Sequence, residues 1–253
     1  MTRSDLAAAL NEAQLGRVLK HCSLDPQGIQ VPNWRSLKPG DVILSSHKSK
    51  AKESPVYWKQ KSEGYDDHAC HWSHAMLYVG GLHVAESQSY FKVDGKLWPR
   101  TGTRVVPLTM YAKDNHLLVC RVKPSAISNG KRDRMVHHAL GDIAAEGRRY
   151  DYARLIESLP YQKLASFIPG LWRNVAGYNE GSAVICTDFV LECLAIGGGV
   201  FVEEYRQVRE KARFFYPADF TQHTKLDVRP MEYRLLVDDP TENRRRRRSL
   251  RAA

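Results

Sequence analysis

Hydrophobic positions along this chain follow two periods, strand-like in the first half and helix-like in the second. Leu37-Lys-Pro-Gly-Asp41 reads as a turn feeding the apolar run Val42-Ile-Leu-Ser-Ser46, a short buried strand. Strands at Ala75–Val79 and Leu82–Glu86 are joined at Gly80-Gly81, a strong hairpin signal. Two more are expected near Gly102–Val106 and Leu117–Val122. From Asp133 to Glu146 the apolar residues Met135, Val136, Ala139, Leu140, Ile143 and Ala144 recur at helical spacing, and Gly147 ends that helix. Ala153–Phe167 reads as a second helix interrupted at Pro160, and Cys186–Ala195 as a third, stopped by Gly197-Gly-Gly199. Glu232–Val237 reads as a last strand. Strands followed by helices predict an α+β fold rather than a doubly wound sheet.

The remaining segments divide the chain. Ser4 to Lys20 carries Leu6, Leu10, Ala13, Leu15, Val18 and Leu19 among polar residues, an amphipathic helix pattern. With the breaker-rich loop from Pro26 to Pro39, residues 1–36 are expected as an N-terminal helix and linker. Residues 37–240 are expected as the main domain, and 241–253 as a basic disordered tail. Within the domain, Lys48 to Trp72 is polar, charged and aromatic without a clear period. Such a stretch is either an insertion or an active-site flap.

Composition narrows the class without naming it. Hydrophobic content of 43% and charged content of 26% in 253 residues suit one sizeable core. No run of residues is long and apolar enough to suggest a transmembrane helix or a secretory signal, so a cytoplasmic location is the expectation. The five cysteines (Cys22, Cys70, Cys120, Cys186, Cys193) are scattered, which favours free thiols over a disulfide framework. The net charge of +10 is uneven: residues 244–253 hold six arginines and no acid, leaving 32 basic against 28 acidic residues elsewhere. Arg244, Arg245, Arg246, Arg247 and Arg248 read first as a solvated tail. Contact with nucleic acid or anionic lipid is the sharper alternative, and it would weaken steeply with salt.

The candidate chemistry lies in two segments about 110 residues apart. His74 opens one predicted strand, and Cys186 opens a predicted helix. A cysteine on the first turn of a helix gains thiolate stabilisation from the amides and the helix dipole, and a histidine across the fold can serve as its base. Alone, this pair is weak evidence, because a cysteine on an apolar face is more often a small core residue. Cys193, among Leu191, Leu194 and Ile196, reads that way. Glu86 strengthens the case. It lies twelve residues after His74 on the other arm of the hairpin, where a carboxylate could fix the imidazole tautomer. Register decides. A two-residue loop at Gly80-Gly81 would pair His74 with Ser87 and turn Glu86 to the opposite face. A three-residue loop or a bulge would place Glu86 opposite His74.

Pro39-Gly-Asp41, His74-Ala-Met-Leu-Tyr-Val-Gly80, Val84-Ala-Glu86 and Ile185-Cys-Thr-Asp-Phe-Val190 together resemble the circularly permuted papain-like (NlpC-type) cysteine hydrolases. Within them the chain is most similar to the YiiX/YebB-like group, with the lecithin retinol acyltransferase-like enzymes as cousins. Arg149-Tyr-Asp-Tyr152 and Tyr216-Pro-Ala-Asp-Phe220 also look like stretches of that group, so the resemblance covers roughly residues 37–125 and 145–221. It implies an antiparallel, barrel-like sheet packed against the cysteine helix. By residue, it implies Cys186 as nucleophile, His74 as general base and then acid, and Glu86 as the orienting group. The twelve-residue step also occurs in the acyltransferase-like cousins, which implies that Glu86 faces the site. The Cys186 amide is the first oxyanion donor this implies, and Tyr152 is a candidate for lining the site.

The resulting expectation is a peptidase or amidase acting on a peptide-like amide or an acyl ester, without a cofactor. An acyltransferase, and a catalytically silent module that binds through its arginine tail, are the alternatives. Asp41 is expected to stabilise its turn. His68, Cys70, His71 and His74 lie within seven residues and could each bind zinc, but their spacing fits no established finger, and no metal is expected. Gly197-Gly-Gly199 lacks the Lys-Ser/Thr that a phosphate loop needs.

Overall fold

Period-two alternation in the first half of the chain builds a sheet, and the apolar stripes of the second half cover it. The computed structural model describes residues 23–25, 28–88, 92–93, 96–97, 102–112, 114–144, 148 and 185–236. Its strands are β1 (Ser23–Asp25), β2 (Gly28–Pro32), β3 (Val42–His47), β4 (His74–Gly80), β5 (His83–Gln88), β6 (Lys92–Val93), β7 (Lys96–Leu97), β8 (Gly102–Pro107), β9 (Asn115–Val122), β10 (Leu226–Pro230) and β11 (Tyr233–Leu236). The helices are α1 (Pro55–Ser62), α2 (Asp67–Cys70), α3 (Thr109–Ala112), α4 (Asn129–Ala144), α5 (Cys186–Glu192), α6 (Val202–Arg209) and α7 (Pro217–Gln222). A six-stranded antiparallel sheet in the order β10-β9-β3-β4-β5-β8 dominates, so the fold is α+β.

Alternate residues of these strands feed two cores. On one face Val42, Leu44, Ala75, Leu77, Ala85 and Leu118 pack with Met135 and Ala139 of α4 and with Phe189, Val190 and Leu191 of α5. On the other, Ile43, Met76, Tyr78, Val84, Val106 and Val119 pack with Val31, Met231 and Tyr111. Phe189, Phe201, Phe215 and Phe220 are fully buried. Each such side chain contributes roughly 1.5–3 kcal/mol of burial free energy.

Two stretches differ from what their sequences suggest. The breaker-rich 26–39 region carries β2, which pairs with β11, and Val31 within that strand is fully buried. Pro32, the last residue of the strand, closes it without interrupting the run before it. The packed body therefore begins before residue 37. The 48–72 stretch is helical rather than irregular, with α1 starting at Pro55 and α2 capped by Asp66, whose carboxylate accepts from Ala69 N at 2.7 Å.

Fully buried Gln60 ties this segment down. Its Nε2 donates to the carbonyls of Cys70 and Trp72, and its Oε1 accepts from Ala218 N at 2.9 Å. Helical period fails to show here because α1 and α2 are short and mostly polar. The expected helices at 4–20 and 153–167 and the tail at 241–253 lie outside the described residues. Among the described residues, no helix is long and apolar enough to cross a membrane.

Candidate active site

The hairpin that carries His74 and Glu86 settles their register. Leu77 faces Ala85 and Tyr78 faces Val84, while Gly80 faces His83, so Val79 is an extra residue in a β-bulge. The turn itself is Gly81-Leu82, with φ of 54° and 58°, the positive pair of a type I′ hairpin. Leu82 tolerates this conformation with its side chain fully buried in the second core. The bulge puts Glu86 across from Met76, one strand step from His74 and on the same face. The expected shared face is present. The expected directly opposite pairing is not: the two side chains meet diagonally, His74 donating from Nε2 to Glu86 Oε2 at 2.7 Å.

Cys186 opens α5 as expected, after Ile185, which provides no capping side chain. After Glu192 the helix widens into a π-helical turn, Cys193–Gly197. A Cβ on Gly197 would stand 2.6 Å from the Met135 backbone. The glycine run thus ends the helix and lets α4 press against it. α5 packs on the face opposite His74, yet its first residue reaches the imidazole because His74 is the first residue of its strand. The His74 ring and Cys186 are electrostatically coupled, the Cys186 charge favouring the charged imidazole. With Nε2 held by Glu86, Nδ1 is the ring nitrogen left for the sulfur.

Exposure separates this cysteine from the others described. Cys70, Cys120 and Cys193 are 0% exposed, whereas Cys186 is 9% exposed beside His74 at 7%. Burial pushes the Cys120 and Cys193 thiols up, and the Cys70 thiol donates to the Tyr65 carbonyl. Burial works against a charged His74. The Cys186 charge and the hydrogen bonds with Cys186 and Glu86 outweigh it, and the imidazole is pushed up to about 9.

Glu86 is fully buried and held by more than the histidine. Arg104, directly across on β8, donates from Nε to Oε1 at 2.8 Å. Tyr111 of α3 donates its hydroxyl to Oε2 at 2.5 Å, and its ring stacks on the His74 ring. Burial alone would raise the Glu86 carboxyl. The His74 hydrogen bond, the His74 and Arg104 charges and the Tyr111 hydroxyl hold it below its ordinary value.

Sequence reasoning missed Arg104 and Tyr111. Arg104 had a readable signal, because it shares strand parity with buried Gly102 and Val106 while Thr103 and Val105 point outward. A charge at an inward strand position asks for a buried partner. Tyr111 offered no comparable signal.

The other candidates resolve in different ways. Asp41 serves its turn, accepting from Lys38 N at 2.9 Å, and it also takes both Arg121 Nε and Nη2. The possible zinc ligands do not converge: His74 is on Glu86, Cys70 on Tyr65, and the His71 ring lies 5.4 Å from that of His116. Among the described residues, no group of three or more His, Cys, Asp or Glu is placed to hold a metal ion. Tyr152, suggested as a lining residue, and Arg244–Arg248 lie outside the described residues. No protein-family model matches the chain, and no curated protein compared with it does. The geometry stands by itself. It brings together Cys186, which keeps 9% exposure, an imidazole raised toward its charged form and a buried carboxylate hydrogen-bonded to that imidazole.

Proposed function

We propose that this protein is a thiol hydrolase of the permuted papain-like kind, cleaving an amide or ester bond through Cys186, His74 and Glu86. The observation that carries the reading is the His74–Glu86 hydrogen bond, with His74 electrostatically coupled to Cys186, the one described cysteine with any exposure. His74 takes the thiol proton, and the sulfur attacks the substrate carbonyl carbon. The C–S bond forms as the carbonyl electron pair moves to oxygen, where the amide of Cys186 at the helix start offers a donor. Collapse breaks the C–N or C–O bond, and the imidazolium gives its proton to the leaving amine or alcohol. Water, deprotonated by His74, then opens the thioester, releasing the acid and restoring the thiol. Glu86 holds the ring tautomer throughout and stabilises its charged form.

Limited iodoacetamide at pH 6, followed by mapping of the modified cysteines, tests the reading. Cys186 should be labelled ahead of Cys70, Cys120 and Cys193, and His74→Ala should slow its labelling by about two orders of magnitude, the lower end of what a positioned base supplies. Equal labelling of the four, or none at Cys186, would sink the proposal.

A further inference from the structure

The Glu86 carboxylate is unusually well held for a group whose only task is to accept one proton-bearing nitrogen. A carboxylate end turns about a broad, two-fold torsion, so either oxygen could face the histidine. Here the two oxygens are assigned different partners. Oε1 takes Arg104, with Nε and Nη2 each at 2.8 Å, while Oε2 takes both His74 Nε2 and the Tyr111 hydroxyl. The Tyr111 ring covers the His74 ring at a centroid distance of 5.8 Å and an interplanar angle of 29°.

We infer that Tyr111 and Arg104 are positioning residues: together they pin the carboxylate so that Oε2 stays on His74 Nε2 and the ring stays turned toward Cys186. The inference rests on the thiol-hydrolase reading and extends it to residues that touch no reacting atom. Four elements face the His74–Glu86 pair: β5 with Glu86 itself, α5 with Cys186, β8 with Arg104 and α3 with Tyr111. Arg104 carries a permanent charge, so it keeps Glu86 ionised while opposing the imidazolium. Tyr111 stays a donor, because burial and the Glu86 charge hold its phenol well above its ordinary value.

Both therefore draw negative charge away from His74. Removing the Tyr111 hydroxyl concentrates that charge on Oε2 and should make the imidazolium harder to deprotonate. Arg104→Lys keeps the charge but loses the guanidinium fork, so its effect should run the same way and be smaller.

The test is the rate of Cys186 alkylation by iodoacetamide from pH 5 to 10 in the full chain, with the melting temperature measured alongside. Wild type should react at pH 6 and show a step near the His74 titration. Tyr111→Phe, which keeps the ring and its stacking, should move that step upward by about half a unit or more. A step that stays in place while only the melting temperature falls would mean that Tyr111 is merely structural and would overturn the inference. Lack of Cys186 reactivity in wild type would instead remove the nucleophile reading, and the positioning role with it.

Discussion

Two buried glutamates in this molecule have the same set of partners and different surroundings. Glu86 accepts from an arginine, a tyrosine hydroxyl and a histidine Nε2, namely Arg104, Tyr111 and His74. Glu192, at the far end of the helix that Cys186 opens, accepts from Arg148, Tyr205 and His138 Nε2. Both carboxyls are held below their ordinary value although burial pulls them up.

The difference lies in the histidine. The His74 side chain is 9% exposed, bonded to Glu86 at 2.7 Å and electrostatically coupled to Cys186. The His138 side chain is 27% exposed, bonded at 3.2 Å, and the cysteine next to its glutamate, Cys193, is fully buried. A carboxylate–histidine pair thus recurs in this molecule, and deeper burial beside a cysteine that keeps some exposure is what sets the His74 pair apart.

Glu86→Gln should produce the largest effect. It removes the buried negative charge that Arg104 faces at 2.8 Å and the acceptor of the imidazolium. Breaking such a buried pair costs about 3–5 kcal/mol, measurable by urea denaturation. Cys186 alkylation at pH 6 should fall with it. An undiminished alkylation rate in folded Glu86→Gln would end the distinction between the two clusters.

The pH dependence of stability sharpens the same contrast. His74 titrates at about 9 in the folded protein, above the ordinary histidine value of 6.5. Its charged form thus adds stability that is fully present below about 6.5 and is lost as pH rises through about 9, on the order of 3 kcal/mol in all. Part of that increase comes from Cys186, so Cys186→Ala should lose less stability over this interval than wild type. Parallel curves for the two proteins would show that His74 and Cys186 are not coupled.

Glu192→Gln should cost less, about 1–2 kcal/mol. Arg148 keeps its ion pair with Asp142 at 2.8 Å and is not left without a counter-charge. Cys186 alkylation should match wild type across the whole pH range. A matching loss of reactivity would mean that the two ends of the helix act as one unit.

How much of this was legible in the sequence depends on how local each cause is. The strands at 42–47, 102–107 and 115–122 and the helix at 129–144 follow the apolar period, because a single face decides them. The shared face of His74 and Glu86 was legible only as two alternatives. The outcome hung on one extra residue, Val79, whose bulge depends on a turn at Gly81-Leu82 instead of Gly80-Gly81. A buried leucine with positive φ is not something local preference predicts, since core packing holds it there.

The helices at 55–62 and 67–70 were missed for a related reason. Their stability comes from Gln60, which reaches Ala218 across 158 residues, and from Tyr65, which donates to Asp219 at 2.7 Å. Long-range polar contacts leave no period in the sequence. Arg104 does leave a period, since a charge at an inward strand position signals a buried partner.

The smallest expected effect makes the finest test of the comparison. Tyr205 donates to Glu192 Oε2 at 3.0 Å, as Tyr111 donates to Glu86, but Tyr205 is only partly buried. Tyr205→Phe should therefore cost about 1 kcal/mol, the net worth of one hydrogen bond, and water can take over part of the lost contact. Its ring has no stacking contact with His138 among the described aromatic pairs, whereas Tyr111 stacks on His74. The pH profile of Cys186 alkylation should consequently remain that of wild type in Tyr205→Phe and move in Tyr111→Phe. If both phenylalanine variants moved the profile equally, the shift would report a general loosening around the helix, and the special standing of the Glu86 cluster would be lost.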